Sequence, residues 1–106
     1  MDAEMNNCIA LGVPDRETAA RMYEAALGFV PVEVTDGWTE MKAGPIRIFL
    51  VEDQVREPAF SVTVDDVEMS RRRLEAMGFV DAGYDDDEVF LRDPFGYIFN
   101  IFPRKP

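Results

Sequence analysis

Two stretches of this chain, NCIALGVPDRETAARMYEAALGFV (residues 7–30) and PAFSVTVDDVEMSRRRLEAMGFV (residues 58–80), decide its fold because the second repeats the pattern of the first. Each begins with a short apolar run, passes through an Asp into an amphipathic segment, and ends in Gly-Phe-Val. Val13 corresponds to Val64 and Gly28 to Gly78, so the second helical region is one residue shorter. Self-similarity of this kind fixes an architecture more firmly than local propensity does.

The middle of each repeat has the start and stop signals of a helix. Asp15 and Asp66 can accept hydrogen bonds from the unpaired N–H groups at a helix start, and Gly28 and Gly78 supply a left-handed residue at its end. Apolar residues at three- and four-residue steps predict one buried face on each helix. These faces comprise Tyr23, Ala26 and Leu27 in the first helix and Val67, Ser70, Leu74 and Met77 in the second.

Three strand-like segments follow each helix. They cover residues 30–34, 38–42 and 46–52 in the first half and residues 80–82, 88–92 and 97–102 in the second. Turn residues separate them at 36–37, 43–45, 85–87 and 93–96, as short hairpin loops require. The prediction is an α+β chain of two tandem βαβββ modules, residues 6–52 and 58–102, within a single domain spanning residues 1–106.

Composition excludes several classes of function. The 106 residues are 47% hydrophobic, enough for one compact core, and no run approaches the roughly 20 apolar residues that a membrane span needs. A formal net charge of -10 repels nucleic acid and acidic lipid surfaces, so neither is an expected partner. The single cysteine, Cys8, cannot form an internal disulfide, and we expect a cytoplasmic protein.

Two phrases of the sequence point to a family. VPDRETAARMYEAALGF (residues 13–29) and LRDPFGYIFNIF (residues 91–102), placed in this order on an internal repeat, resemble the vicinal-oxygen-chelate superfamily of glyoxalases, bleomycin-resistance proteins and extradiol dioxygenases. The resemblance covers essentially the whole chain, with Met22, Phe95 and Tyr97 departing from the usual residues. It implies a curved, cup-like mixed sheet with the helices outside and the functional site inside.

Strand alternation then predicts which side chains line that cup. Ile9, Leu11 and Val13 should face the first helix, and Phe60, Val62 and Val64 the second. The cup-facing set in the first half is Cys8, Ala10, Gly12, Trp38, Glu40, Lys42, Arg47, Phe49 and Val51. The set in the second half is Ala59, Ser61, Thr63, Glu88, Phe90, Arg92, Ile98, Asn100 and Phe102.

The resemblance also implies where a metal would bind. Metal-dependent members take one His or Glu-type ligand from the first and last strand of each module, and these positions here hold Cys8, Phe49, Ala59 and Asn100. Catalytic zinc, iron, nickel or manganese requires several imidazole or carboxylate donors, and the chain contains no histidine. We therefore expect no metal and no cofactor. The commonest general base is also missing.

Aromatic walls with a few polar groups are typical of small-molecule sites. The predicted ligand-binding residues are Trp38, Glu40, Phe49, Ser61, Thr63, Phe90, Asn100 and Phe102. Trp38 is the only tryptophan, and at the start of a strand its ring can stack on a planar or cationic ligand. The alternative is that individual rings only fill the cup. Cys8 is expected to be a buried, inert thiol, since a reactive thiolate needs a cation such as Arg47 or Lys42 beside it.

Our leading hypothesis is a metal-free small-molecule-binding protein, similar to the bleomycin-resistance proteins, which sequester an antibiotic without chemistry. The same resemblance implies a homodimer. The alternative is a lyase, isomerase or dioxygenase-type enzyme with a non-standard site, which uses acid–base groups such as Glu40 and Cys8 or an unusual metal, and catalysis is the less favoured of the two. A third option is a regulatory subunit whose cup is closed by side chains. Lys42, Arg47 and Arg92 accompany Glu40 and Glu88 in the cup, so the ligand's charge stays open and an anion is allowed.

Overall fold

The computed structural model describes residues 3–53, 56–84 and 88–104, and the predicted turn at residues 85–87 lies outside them. The elements are β1 (Glu4–Val13), α1 (Arg16–Leu27), β2 (Val30–Val34), β3 (Thr39–Ala43), β4 (Ile46–Glu52), β5 (Arg56–Val64), α2 (Val67–Ala76), β6 (Val80–Asp81), β7 (Val89–Arg92) and β8 (Ile98–Pro103). This order confirms the α+β class and the two βαβββ modules.

The chain divides into two compact units, which we call the α1 unit (Asn7–Pro58) and the α2 unit (Met1–Asn6 with Ala59–Pro106). Strands of the α1 unit lie in the order β2-β3-β4-β1, and strands of the α2 unit in the order β5-β8-β7-β6. In each unit the first strand pairs in parallel with the last strand, and the other pairs are antiparallel. Both units therefore have the same topology, as the internal repeat predicts.

Both helices begin at the predicted Asp. The Asp15 carboxylate accepts a hydrogen bond from Thr18 N at 3.2 Å, and the Asp66 carboxylate accepts one from Met69 N at 2.9 Å. Each bond satisfies one of the N–H groups that a helix start leaves unpaired. Hydrogen bonding to Thr18 also lowers the pKa of Asp15, which keeps this cap ionised.

The Gly-Phe pair of each repeat closes its helix. Gly28 has the left-handed φ of 72°, which allows Phe29 N to return to Tyr23 O at 3.4 Å. Gly78, with φ of 100°, precedes Phe79, whose N–H bonds Leu74 O at 3.0 Å. Positive φ suits glycine because it has no Cβ. Phe29 and Phe79 then pack against the apolar cores of their own units, so the repeated Gly-Phe both ends the helix and anchors it.

Apolar side chains beneath α1 form the core of the α1 unit. Its buried members are Val13, Ala19, Met41, Ile48 and Leu50, with Ile9, Leu11, Ala20 and Tyr23 among the residues packed against them. The prediction that Ile9, Leu11 and Val13 face α1 is confirmed. The predicted burial of the last helical turn is wrong, since Leu27 is 61% exposed and Ala26 is also exposed. Both lie on the same stripe as Ala19, so the sheet covers only the earlier turns of α1.

The α2 unit repeats this arrangement. Val64, Leu91 and Ile101 are buried, and Val62, Val67, Leu74, Val89 and Phe99 pack against them. Ser70 of α2 is also buried, as predicted. Met77 is 66% exposed, contrary to the prediction, because α2 ends at Ala76 and Met77 is its capping residue.

The two helices are short. In the described part of the chain, α1 has 12 residues, α2 has 10, and neither is long and apolar enough to cross a bilayer.

The contrast between Leu50 and Leu27 tests the α1 core. Leu50→Ala should lower the free energy of unfolding by about 2–5 kcal/mol, because Leu50 is fully buried and its removal leaves a cavity. The matched control Leu27→Ala should change it by no more than about 0.5 kcal/mol, since Leu27 is exposed. Urea denaturation followed by circular dichroism measures both, and equal losses would contradict the packing described here.

Candidate functional site

Strand alternation leaves one face of each sheet turned away from its helix. In the α1 unit, β3 and β4 pair Glu40 with Phe49 and Lys42 with Arg47, while their neighbours Met41, Ile48 and Leu50 belong to the core under α1. Cys8 on β1 pairs with Arg47 and therefore shares their face. We call this surface, with Trp38 immediately before β3, the α1-unit face.

The ring of Phe49 is the centre of the α1-unit face. The Cζ atom of Arg47 lies 5.2 Å from the Phe49 centroid, within the range of a cation–π interaction. The Trp38 ring lies 6.4 Å from it at an interplanar angle of 67°, an edge-to-face contact. Trp38 nevertheless remains 40% exposed. A cation and an exposed indole thus flank one half-buried phenyl ring.

Glu40 fixes the position of Arg47. Arg47 Nε donates to Glu40 Oε2 at 2.7 Å, and the Glu40 side chain is 10% exposed whereas that of Arg47 is 47% exposed. This hydrogen bond lowers the pKa of Glu40 despite the opposing effect of burial, and it raises the pKa of Arg47. Both groups are therefore charged at neutral pH. The buried carboxylate holds a guanidinium that faces solvent.

Trp38 is positioned by the turn that precedes it. Thr35 Oγ1 accepts hydrogen bonds from Gly37 N at 3.2 Å and from Trp38 N at 3.1 Å, and Thr35 N donates to Trp38 O at 2.9 Å. Arg16 of α1 then donates from Nη1 to Thr35 O at 2.9 Å and from Nε to Glu52 Oε1 at 3.1 Å. Only 16% of the Arg16 side chain is exposed. One arginine therefore ties the helix start, the turn and the end of β4 together.

Cys8 is a poor candidate for a nucleophile. Burial raises the pKa of its thiol, and the nearby Glu40 carboxylate acts in the same direction. The charge of Arg47 opposes both effects but is the smaller influence beside burial. Since the thiolate is the reactive species, these directions agree with the predicted inert thiol.

The corresponding face of the α2 unit carries the remaining predicted ligand-binding residues. The cross-strand registers place Ser61 beside Asn100, Asn100 beside Phe90, and Thr63 beside Phe102. They thus lie in two rows across β5, β8 and β7. We call this surface the α2-unit face.

Several polar groups on the α2-unit face have protein partners. Asn6 Nδ2 donates to Ser61 Oγ and Thr63 Oγ1, each at 2.9 Å. Asn100 Nδ2 donates to Val89 O at 3.1 Å, and the Asn100 side chain is buried. These hydrogen bonds satisfy much of the polarity of the face from within the unit.

Phe90 on the same face is 5% exposed and contacts the Tyr84 ring at a centroid distance of 5.4 Å. Phe90 therefore packs within the α2 unit, in line with the alternative that individual aromatic rings have only a packing role. Phe102 is half-buried.

Sequence reasoning left three contributors out of the ligand-binding set. Arg47 was placed on the correct face, but its pairing with Glu40 depends on side-chain direction, which alternation does not give. Asn6 is two residues before Cys8 and shares its strand, so extending the alternation would have found it. Tyr84 lies outside any strand, and no periodic signal marks it.

The residues at the four implied ligand positions do not fit a metal. Phe49 and Ala59 have no donor atom, which leaves one thiol, that of Cys8, and one amide oxygen, that of Asn100. Glu40 contributes a carboxylate to the α1-unit face, but it is paired with Arg47. Within residues 3–53, 56–84 and 88–104, no three His, Cys, Asp or Glu side chains form a group that could hold a metal ion. The donor set of metal-dependent relatives is not reproduced in this chain.

Several solved structures share this fold. A hypothetical protein from Bacillus halodurans C-125 is 12% identical with a TM-score of 0.70, over 100% of this chain and 97% of that chain. A glyoxalase/bleomycin resistance protein/dioxygenase superfamily member from Vibrio splendidus 12B01 is 16% identical with a TM-score of 0.64, over 95% and 100%. A variant of Streptomyces coelicolor methylmalonyl-CoA epimerase, in complex with 2-nitronate-propionyl-CoA, is 16% identical with a TM-score of 0.62, over 96% and 98%.

These similarities show that the chain has the vicinal-oxygen-chelate fold, as the sequence resemblance implies. No protein-family model and no curated protein matches the sequence. Since fold alone does not determine activity, the function has to be argued from the residues of the site.

The role of Arg16 in positioning Trp38 can be tested by Arg16→Met. This change removes the hydrogen bonds to the turn and should lower the free energy of unfolding by roughly 1–3 kcal/mol. Acrylamide should then quench Trp38 fluorescence more efficiently in the native state, because the turn is less restrained. Arg21→Met is the control, since Arg21 is 70% exposed and its ion pair with Glu17 is long, at 3.6 Å. Unchanged quenching in Arg16→Met would show that the turn holds Trp38 without Arg16.

Proposed function

We propose that this protein binds an aromatic small molecule on the α1-unit face and does so without the metal of its metal-dependent structural relatives. The observation that carries the proposal is Phe49. A phenyl ring stands where the resemblance implies a metal ligand, and it is flanked by Trp38 and Arg47. That position is part of an aromatic and cationic surface.

The exposed half of this surface has the properties of a ligand-binding wall. Trp38 is held by its turn while 40% of it remains open to solvent. An aromatic ring fixed in this way can stack on a ligand at little cost in side-chain entropy. Phe49 supports the indole from the side and Glu40 fixes the adjacent cation. Such combinations of apolar wall and oriented polar group are typical of small-molecule sites.

The predicted ligand-binding residues of the α2-unit face have a secondary place in the proposal. Ser61 and Thr63 accept from Asn6, and within the described residues neither hydroxyl donates a hydrogen bond. Ser61 is buried, so the half-buried Thr63 is the better placed of the two to donate to a ligand on that face. Phe102 can contribute apolar contact there from its half-buried position. Phe90 and Asn100 are buried and make their contacts within the unit. We assign these two a supporting role.

Three finer statements belong to the same proposal. The role is sequestration of an antibiotic or a similar aromatic compound, the protein acts as a homodimer, and it does so in the cytoplasm. The resemblance to bleomycin-resistance proteins supports the first two. The single cysteine, which needs no oxidising compartment, supports the third.

An acid–base enzyme is less well supported by the same geometry. Glu40 is held as a carboxylate with a lowered pKa by its bond to Arg47, and a carboxylate stabilised in this way is a weaker base. The Cys8 thiol has a raised pKa. A lyase, isomerase or dioxygenase reaction would have to use other groups, and no contact in the described residues indicates which.

The proposal is tested by titrating the protein with planar aromatic antibiotics of positive, neutral and negative charge while following Trp38. Because Trp38 is the only tryptophan, any saturable change in emission reports on this one ring. We expect saturable quenching and a raised melting temperature with at least one compound. Phe49→Leu should weaken that binding about three- to tenfold, the range expected for losing one aromatic contact.

Phe95→Leu is the matched control, because Phe95 is 85% exposed and lies in the α2 unit. It should bind the same compound as tightly as the unaltered protein does. If no compound quenches Trp38 or raises the melting temperature, the proposed function is wrong.

A further inference from the structure

The guanidinium of Arg47 is only partly used by the protein. Nε donates to Glu40 at 2.7 Å, and among the described residues this is the group's only hydrogen bond. The two Nη nitrogens therefore have no acceptor in that part of the chain, and 47% of the side chain is exposed. An arginine that is bound through Nε and exposed at its Nη groups can donate hydrogen bonds from these groups to a ligand.

The way Arg47 is held determines what those donors suit. Glu40 restrains the guanidinium from one side, and the ring of Phe49 lies under it at 5.2 Å. A planar fork of N–H groups matches the two oxygens of a carboxylate, which it can bind through two parallel hydrogen bonds. Because the side chain is already restrained, less entropy is lost when a ligand binds.

The charges on the α1-unit face favour an anion over a cation. Lys42 is the cross-strand partner of Arg47 on the same face, so a second positive charge lies beside the fork. The carboxylate of Glu40 is buried and already engaged by Arg47. Glu33, which pairs with Glu40 on the neighbouring strand, carries the opposite charge to Lys42, and both are exposed, where water screens their charges alike. The Nη donors of Arg47, which Glu40 does not occupy, therefore decide the preference for an anion. The net charge of -10 slows the approach of an anion from a distance without removing these short-range contacts.

We propose that Arg47 is the residue that selects the ligand, and that the ligand is a planar aromatic carboxylate whose carboxyl group binds the Nη side of Arg47 while its ring stacks on Trp38. Both residues contact the ring of Phe49, so a single small molecule can reach them together. This inference rests on the proposed function and names the chemical class of ligand for the same face.

The test uses compounds that differ only in the group offered to Arg47: 2-naphthoate, 2-naphthamide and 2-naphthylmethylamine. In the unaltered protein, titrations that follow Trp38 fluorescence should give a dissociation constant for the carboxylate roughly tenfold or more below that for the amide. This difference is expected for a charge-assisted hydrogen bond. The amine should bind more weakly than the amide, because its positive charge is repelled by Arg47 and Lys42.

The variant is the double change Glu40→Gln with Arg47→Gln, which avoids leaving a buried carboxylate unpaired. Its preference for the carboxylate over the amide should fall to about onefold, because the variant offers both compounds only uncharged side-chain amides at this position. Lys42→Gln keeps the fork and is the control for general electrostatic attraction, so it should retain most of the preference.

The outcomes separate the two proposals. If the unaltered protein binds the carboxylate and the amide equally, or if the double variant keeps the preference, the assignment of Arg47 is wrong while ligand binding on the face stands. If Lys42→Gln loses the preference as completely as the double variant does, diffuse charge and not the fork selects the ligand. If none of the three compounds quenches Trp38 up to the limit of their solubility, the aromatic-binding face itself is contradicted, and this inference falls with it.

Discussion

Each helix of this protein covers one face of its sheet, and the alternation of side chains along a strand then determines what the other face can display. Ile48 and Leu50 are committed to the core beneath α1, so Arg47 and Phe49 between and beside them must point away from it. A shift of one residue in register would exchange the two sets. The chemistry of the α1-unit face therefore depends on the same pairing that builds the core.

On the α1-unit face, Glu40, Arg47 and Trp38 are each held in place by a contact with another element. Burying the Glu40 carboxylate alone would be costly, and the bond to Arg47 offsets that cost. Arg47 in turn lies over Phe49, and Phe49 is flanked by Trp38. Trp38 is restrained through the turn at Thr35, where Arg16 binds the backbone. The result is a small set of contacts that fixes two solvent-facing groups, an indole and a guanidinium, next to one ring.

Most of the fold could be predicted from the repeated segments, because the determinants are local. Asp15 and Asp66 cap helices through residues three positions away, and Gly28 ends a helix by its own backbone geometry. The two faces of each strand could be assigned because successive side chains along a strand alternate between them. The last turn of α1 was predicted wrongly, since helical periodicity shows which side is apolar but not how far the sheet extends beneath it, and Leu27 is exposed.

The candidate site could be predicted only in outline, because its contacts join residues far apart in sequence or depend on side-chain direction. Asn6 bonds Ser61 and Thr63 across more than fifty residues, and Arg16 reaches Thr35 from another element. The pairing of Glu40 with Arg47 needed the register of β3 against β4, since the two residues are not directly opposite each other. The absence of histidine, by contrast, is plain from the sequence and already separates the donor set of this chain from that of the metal-dependent relatives.

The central claim is that this fold binds its ligand here through an aromatic and cationic face and not through a metal. The most direct test is elemental analysis of the protein after incubation with excess zinc, iron(II), nickel or manganese and removal of unbound metal. The account predicts far less than one equivalent of any of these metals per chain, with no change in melting temperature. One equivalent of metal that raises the melting temperature and is removed by a chelator would contradict it.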